Sequence, residues 1–176
     1  KRWYCASISS VTSSGSITRV AEPPYFVLID RALRDEGTSH HYLPPGTWSH
    51  APTRLASRLD GQLDGLAQPV VTGATWTTDA PYRETAEAIA HAETLGIVAV
   101  EMEAAALYAF AAARDFDVVC VAHVTNTMAT DGDDFEKGEA DGAHDALEVV
   151  AAIIERLRGD HADAVTSQAA PPMSTP

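Results

Sequence analysis

The sequence predicts an α/β fold in which helices cross over between the strands of one sheet. From about Phe26 onward, short apolar runs alternate with segments of helical periodicity, which is typical of strands joined by crossover helices. The 176 residues are enough for one domain with a hydrophobic core and too few for two of ordinary size. We therefore expect one α/β domain, over residues 25–159.

The order of these runs predicts the individual elements. The predicted strands are Phe26–Ile29, Pro69–Ala74, Ile97–Val100 and Val118–Val124. A first helix is predicted where four leucines share one helical face, and these are Leu55, Leu59, Leu63 and Leu66. A second runs from Thr85 to Leu95 and ends at Gly96, because glycine adopts the left-handed conformation without steric cost. A third follows Glu103.

A last helix is predicted near the end of the chain. Its apolar residues recur at alternating spacings of four and three, which places them on one face against the sheet. They are Ala143, Leu147, Val150, Ile154 and Leu157. Gly159 is predicted to end this helix. Residues 160–176 are rich in Ala, Ser, Thr and Pro and are predicted to be a disordered tail.

Residues 1–24 form an atypical N-terminal segment. Residues 7–16 contain six serines, and Pro23-Pro24 precedes the first predicted strand, so no regular pattern leads into it. The segment is either a short edge hairpin or a sign that the sequence begins inside a longer domain. We favour the second interpretation, because four strands with an open leading edge make a small sheet for an α/β domain.

Composition excludes several classes of function. The formal net charge is −13, from 25 acidic and 12 basic residues, which argues against binding a nucleic-acid polymer. No apolar run approaches the roughly 20 residues that span a bilayer, and no signal-peptide pattern follows Lys1, so we expect a cytoplasmic protein. Cys5 and Cys120 fit a reducing compartment, and Cys120 is predicted to be a buried packing residue.

Two carboxylates lie at the seam between a predicted strand and an alanine-rich helix. Glu101 and Glu103 occupy this seam in the segment Val98–Tyr108, at the kind of strand end where open α/β sheets bind their ligands. The helix macrodipole also favours a carboxylate at a helix N-terminus. Taken alone, Glu103 is equally well explained as a simple N-terminal charge.

Polar groups after two other strands suggest a binding pocket. In Trp76–Thr85, aromatic and Arg groups could stack on a base and bind its carbonyls, or the segment could simply cap a helix from Thr78 or Asp79. Asn126 offers both a donor and an acceptor, which suits a nucleobase edge, although a lone Asn is more often a turn residue.

Two further loops are polar, but their sequences do not distinguish a binding site from a solvated loop. Residues 34–45 form either a binding loop or a solvated connection, and no third ligand accompanies His40 and His41 at a metal-site spacing. Residues 131–136 are acidic but lack the ligand spacing of a calcium loop, so a solvated loop is the better interpretation. We expect no metal site.

Three motifs together resemble the nucleoside phosphorylase superfamily, which includes uridine phosphorylase and hexameric purine nucleoside phosphorylase. The most specific is VEMEAAALY at Val100–Tyr108; WTTDAPYRET at Trp76–Thr85 and RDEGTSHHYLPP at Arg34–Pro45 follow the uridine-phosphorylase-like branch in matching order. The resemblance covers about Phe26–Leu157. It implies a three-layer α/β sandwich with a central mixed sheet and helices on both faces, of which this chain holds an incomplete, C-terminal portion.

The resemblance also implies roles for particular residues. By position, Glu103 would hold the ribose hydroxyls and Met102 would pack beneath the sugar, with Glu101 in the same motif. Base recognition would fall to residues of the other two segments, namely Thr78, Tyr82, Arg83 and Asn126. Glu103 and Asn126 would be the catalytic pair, with no cofactor beyond phosphate as co-substrate. A homo-oligomer, either a dimer or a hexamer, is implied as well.

Departures from the superfamily leave the reaction open. Asn126 stands where adenine-cleaving members carry Asp, which favours oxo-bases, and Thr127 stands where uridine phosphorylases carry Arg. The phosphate-binding glycine-rich turns of the superfamily are not visible. The resemblance predicts a pentosyltransferase that cleaves a 6-oxopurine or pyrimidine ribonucleoside with phosphate, giving ribose 1-phosphate and free base. A hydrolytic nucleosidase and a catalytically silent nucleoside-binding or subunit-interaction protein are the alternatives.

Overall fold

Strands from distant parts of the chain form one mixed sheet. The computed structural model describes residues 8–127 and 142–167. The strands within them are β1 (Ile8–Ser16), β2 (Tyr25–Asp35), β3 (Trp48–His50), β4 (Val70–Thr78), β5 (Ile97–Glu101) and β6 (Val118–Thr127). The helices are α1 (Thr53–Leu59), α2 (Ala86–Thr94), α3 (Ala104–Arg114) and α4 (Ala143–Ser167). The predicted α/β class and mixed sheet are confirmed.

The sheet closes on itself, unlike the open central sheet of the predicted sandwich. The strand order is β3-β2-β4-β5-β1-β6, and β2 also pairs with β6, so five strands form a ring. The long β2 makes this closure, because one of its edges pairs with β6 over Tyr25–Leu28 and with β3 over Arg31–Leu33. Its other edge pairs in parallel with β4.

β1 is an inner strand of this ring, so the edge-hairpin interpretation of the serine-rich segment is wrong. It pairs in parallel with β6 from Ile8 to Ser16 and antiparallel with β5 at Gly15 and Ser16. The pairing with β6 over the whole strand, and with β5 at its last two residues, uses backbone groups and does not depend on apolar side chains. This explains how a polar sequence forms a central strand without an apolar signal.

Helices pack on two sides of the β2–β6 pair. Alternate side chains of both strands contact α3 on one side, while those pointing the other way contact α1 and α4. The α2 helix packs on β4 and β5. Cys120 lies in the α3-facing cluster, is buried as predicted, and has a pKa raised by desolvation.

The helices confirm some predicted boundaries and correct others. Gly96 has φ 72° and follows α2 as expected. By contrast, α1 stops at Leu59, because Gly61 and Gly65 turn the chain with positive φ. Leu63 nevertheless enters the core from outside the helix.

The apolar face of α4 differs from the predicted one. Among the side chains of α4 that the structure describes, Val149, Ile153 and Leu157 are buried, whereas Leu147 is 69% exposed and Ile154 is 36% exposed. The buried residues recur every four positions, so only Leu157 of the predicted set lies on the covered face. The helix also continues beyond Gly159 to Ser167, and residues 168–176 lie outside the described residues.

No helix among the described residues is long and apolar enough to cross a bilayer.

Tyr108 joins α3 to two strands through its buried hydroxyl. The hydroxyl donates to the carbonyl of Ile29 at 2.6 Å and accepts from the backbone N–H of Cys120 at 3.1 Å. Tyr108 is 1% exposed, so water cannot replace either bond.

We predict that Tyr108→Phe lowers the free energy of unfolding by about 1–3 kcal/mol, since it leaves a buried carbonyl and N–H without this partner. Urea denaturation of the variant and the wild type would measure the change. Tyr82→Phe is the matched control, because Tyr82 is 86% exposed and should change stability little. Equal effects of the two substitutions would contradict the role assigned to the hydroxyl.

Candidate active site

An open cavity of about 190 Å³ lies beside the end of β5. Three segments distant in sequence form its walls: the last part of β1, the β5–α3 seam and the turn before α2. The lining residues are Ser13, Ser14, Gly15, Pro81, Glu84, Val100, Glu101 and Met102. Two of the predicted site residues, Glu101 and Met102, therefore line one cavity.

The antiparallel pairing of β1 with β5 brings the first two walls together. Gly15 lies opposite Val100, and the backbone N–H of Ile17 donates to the carbonyl of Val98 at 2.9 Å. Because β5 runs the other way, the residues of β1 before Gly15 lie beside the residues that follow Val100. The hydroxyl of Thr12 accordingly donates to the carboxylate of Glu103.

Glu101 is a buried anchor for the first turn of α3. Its Oε2 accepts from the backbone N–H groups of Glu103 and Ala104, each at 2.7 Å. Its Oε1 accepts from the hydroxyls of Thr75 at 3.0 Å and Thr77 at 2.5 Å. Since four protein donors occupy both oxygens and the residue is 2% exposed, Glu101 acts through the helix it holds.

Desolvation and hydrogen bonding oppose each other at this carboxyl. Burial raises the pKa of Glu101, and the bonds from Thr77, from the two backbone N–H groups and from Thr75 lower it, with burial the larger effect. The net effect favours the protonated form in the folded protein more than in the unfolded chain.

Glu103 has the exposure that a ligand-binding carboxylate needs. It is the N-cap residue of α3, and its side chain caps none of the helix N–H groups. Its Oε2 accepts from the hydroxyl of Thr12 and, at 3.3 Å, from the backbone N–H of Met102. Glu103 is not a lining residue of the cavity but directly follows Met102, which is, and its carboxylate is bonded to Thr12 and exposed to solvent.

Met102 and Asn126 flank the same region. Met102 lines the cavity and is 49% exposed, unusual for a large apolar side chain and suited to covering an apolar ligand face. Asn126 pairs through its backbone with Gly15, just after a register shift between Ser14 and Gly15. The side chain of Asn126 lies outside the described residues.

The structure does not bring Thr78, Tyr82 or Arg83 to this cavity. Thr78 is 1% exposed, and its hydroxyl accepts from the N–H of Ala80 at 3.2 Å. Tyr82 and Arg83 are exposed on the single 3-10 turn Pro81–Arg83. Helix α2 is capped instead by Thr85, which accepts from the N–H of Ala88, so neither Thr78 nor Asp79 is its N-cap.

The polar loop after β2 is held by its own side chains. The guanidinium of Arg34 donates to the hydroxyl of Ser39 and to the carbonyl of Pro44, both at 2.8 Å, and contacts His40 Nδ1 at 3.2 Å. Glu36 accepts from the N–H groups of Thr38 and Ser39. None of these residues lines the cavity, so the loop is a structured connection here.

His123 is part of the core rather than of the cavity. Its ring stacks on Phe26 with centroids 4.3 Å apart, and its Nε2 lies 2.9 Å from Oε1 of Gln68. Burial lowers the pKa of His123, against an opposing effect of Asp145. The acidic residues 131–136 lie outside the described residues.

Sequence patterns missed two parts of the site. Ser13, Ser14 and Gly15 belong to a segment with no apolar periodicity, and only their position beside β5 reveals them. Glu84 follows Arg83 in the quoted motif, but a charged residue before a helix is ordinarily a solvated end.

A family model described as Phosphorylase superfamily matches residues 2–157. The match confirms the resemblance inferred from the three motifs and extends it to the N-terminal side, so that β1 falls inside the matched region. No match was found among curated proteins.

The buried carboxyl of Glu101 leads to a prediction about stability and pH. Its folded pKa lies above the ordinary value of 4.5, so its contribution to stability is complete below the unfolded pKa and is lost as pH rises through the folded pKa. Glu101→Gln does not titrate. We therefore expect the free energy of unfolding of the wild type to fall, relative to that of Glu101→Gln, as pH rises from about 4 upward.

Urea denaturation of both proteins over that range measures the difference. Glu93→Gln, an exposed site on α2, is the control and should show no such trend. A difference that stays constant with pH, or that grows in favour of the wild type, would contradict the raised pKa.

Proposed function

We propose a function from one established premise: the chain belongs to the Phosphorylase superfamily. The proposed reaction is phosphorolysis of a ribonucleoside, in which phosphate displaces the base from C1′ and leaves ribose 1-phosphate. The proposed substrates are 6-oxopurine or pyrimidine nucleosides. The protein would then be a pentosyltransferase that uses phosphate as co-substrate and needs no cofactor.

The observation that carries this proposal is the exposed carboxylate of Glu103, the residue that follows the cavity-lining Met102. Breaking an N-glycosidic bond develops positive charge on the sugar, and a fixed carboxylate bound to the ribose hydroxyls both orients the sugar and stabilises that charge. Two bonds of Glu101 hold the backbone N–H groups of Glu103 and Ala104, and two more, from Thr75 and Thr77, fix Glu101 itself. The carboxylate therefore starts from a rigid helix end.

Other groups around the cavity suit the remaining parts of a nucleoside. Met102 offers an apolar surface beneath the sugar, and the hydroxyls of Ser13 and Ser14 lie on the β1 wall. We propose Asn126 for the base, as a donor and acceptor on the strand paired with Gly15. An Asn at this position cannot itself supply a proton as the Asp of adenine-cleaving members does, which favours oxo-bases. Contacts from Thr78, Tyr82 and Arg83 stay a prediction.

Hydrolysis is the second candidate, and the composition of the cavity wall favours it. None of the described lining residues is Lys or Arg, so any phosphate bound there would be held by hydroxyl and backbone groups without a cationic partner. Water requires no such partner. A homo-oligomer, a dimer or a hexamer, is a further proposal that rests on the superfamily alone.

We predict that Glu103→Gln lowers kcat/KM for uridine or inosine by about 10–100-fold, because it removes charge-assisted bonds to the ribose hydroxyls. Release of free base would be followed spectrophotometrically. The 2′-deoxynucleosides provide the internal test, since the substitution should matter much less for a sugar that lacks one bonded hydroxyl.

Glu93→Gln is the matched control and should leave activity unchanged. The assignment of Glu103 fails if Glu103→Gln retains full activity toward the ribonucleoside. It also fails if the loss is equally large for the 2′-deoxynucleoside of the same base.

We expect base release by the wild type to require inorganic phosphate and to yield ribose 1-phosphate, since the proposed nucleophile is phosphate. The assay compares initial rates with and without added phosphate and identifies the sugar product chromatographically. Free ribose formed at a rate independent of phosphate would select hydrolysis. Calorimetric binding of uridine or inosine with no turnover would select a silent binding protein and exclude both reactions.

A further inference from the structure

Glu84 lines the cavity on the side formed by the turn before α2. It follows the 3-10 turn Pro81–Arg83, and its backbone N–H donates to the carbonyl of Pro81 at 3.1 Å. Thr85, the next residue, begins α2 as its N-cap. A hydrogen-bonded turn and a capped helix thus hold the backbone of Glu84 from both sides, while its side chain lines the cavity.

The carboxyl of Glu84 is half-buried and, within the part of the chain that the structure describes, makes no hydrogen bond or ion pair. The carboxyl of Glu36, by contrast, accepts hydrogen bonds from two backbone N–H groups. Desolvation raises the pKa of Glu84. A carboxyl with this environment holds its proton to higher pH than an exposed one.

The charged groups around this carboxyl come from every neighbouring element. Arg83 is adjacent but exposed on the turn, and Glu87 is exposed in the first turn of α2. Across the cavity, Glu101 ends β5, and Glu103 begins α3 beside it. The lining residues of β1 are uncharged. Within the described chain, no cation is bound to Glu84 to favour its ionised form.

The β1 wall carries a second group without a protein partner. The hydroxyl of Ser14 is buried and has no hydrogen-bond partner among the described residues, and Ser14 is 6% exposed. A buried hydroxyl left without a partner costs about 1–3 kcal/mol. Because this oxygen is itself buried, it does not face the open cavity, and Ser13 is the exposed hydroxyl-bearing residue of the β1 wall.

We propose that Glu84 is a catalytic residue, the general acid that protonates the departing base. This inference rests on the proposed function. The geometry supports it because Glu84 stands in a different wall of the cavity from the β5–α3 seam, where Glu103 would hold the sugar. A nucleoside bound by its ribose at that seam can present its base to the turn before α2.

The proton balance of this step is complete. The C1′–N bond breaks, its electron pair passes to the base nitrogen, and the proton of the Glu84 carboxyl passes to the base. An oxygen of hydrogen phosphate forms the new bond to C1′. The resulting phosphate monoester releases one proton, and Glu84 regains one from solvent, so the cycle leaves Glu84 as it began.

The test compares two leaving groups with different needs for protonation. Uridine and inosine release a base that leaves more easily when protonated, whereas 4-nitrophenyl β-D-ribofuranoside releases a stable phenolate that needs no acid. We expect Glu84→Gln to lower kcat for the nucleoside by about 100-fold or more, as for loss of a general acid. We expect it to leave cleavage of the nitrophenyl riboside within about 3-fold of wild type, which also shows that the variant is folded.

Two control variants and the pH dependence of the rate distinguish the role of Glu84 from the proposed nucleoside-cleaving function. Glu87→Gln should change neither substrate, and Glu103→Gln should slow both, because both contain the ribose. The wild type should lose nucleoside activity as pH rises through the pKa of Glu84, and the residual activity of Glu84→Gln should lack that loss.

The outcomes are distinct. If the wild type cleaves neither substrate, the proposed function fails, and this inference fails with it. If Glu103→Gln slows both substrates while Glu84→Gln slows both equally or neither, the function stands and Glu84 is not its acid.

Discussion

The buried carboxylate of Glu101 is the interaction on which the site depends. Moving a carboxyl out of water is costly unless donors replace its hydration. Here four donors from two elements do so: two threonines of β4 and two N–H groups at the start of α3. Thr77 extends the network, because its hydroxyl also accepts from the N–H of Ala105. Because Glu101 binds the N–H groups of Glu103 and Ala104, it fixes the position at which α3 begins.

The closed ring supplies the second constraint. Placing β1 between β5 and β6 puts Thr12 against the carboxylate of Glu103 and puts Gly15 against the backbone of Asn126. The groups proposed for the sugar and for the base are therefore joined through one polar strand. That strand contacts Glu103 through the hydroxyl of Thr12 and pairs with Asn126 through its backbone, and Ser13, Ser14 and Gly15 of the same strand line the cavity.

The sequence predicted correctly those structural features whose physical cause lies within a few residues, and it missed those that depend on distant partners. The β5–α3 seam and the end of α2 at Gly96 were predicted correctly, because apolar runs, alanine content and glycine conformation act within a few residues. The strand β1 was missed, since its stability comes from partners about 85 to 110 residues away in sequence. Trp76–Thr78 was interpreted as loop because two of its three residues are polar, although Thr77 and Thr78 are buried in β4.

The roles of the residues in the candidate site also depend on contacts between distant segments of the chain. The motif resemblance assigned the ribose hydroxyls to Glu103 but gave Glu101 no role of its own, because only burial and the number of donors identify Glu101 as an anchor. Burial and bonding also distinguish Glu103 from Glu84. Glu103 is exposed and accepts a hydrogen bond from the hydroxyl of Thr12, whereas the carboxyl of Glu84 is half-buried and makes no hydrogen bond within the described chain. Bond cleavage needs a negative group beside the sugar and a proton beside the base. Two carboxyl groups in unlike environments around one cavity can provide both.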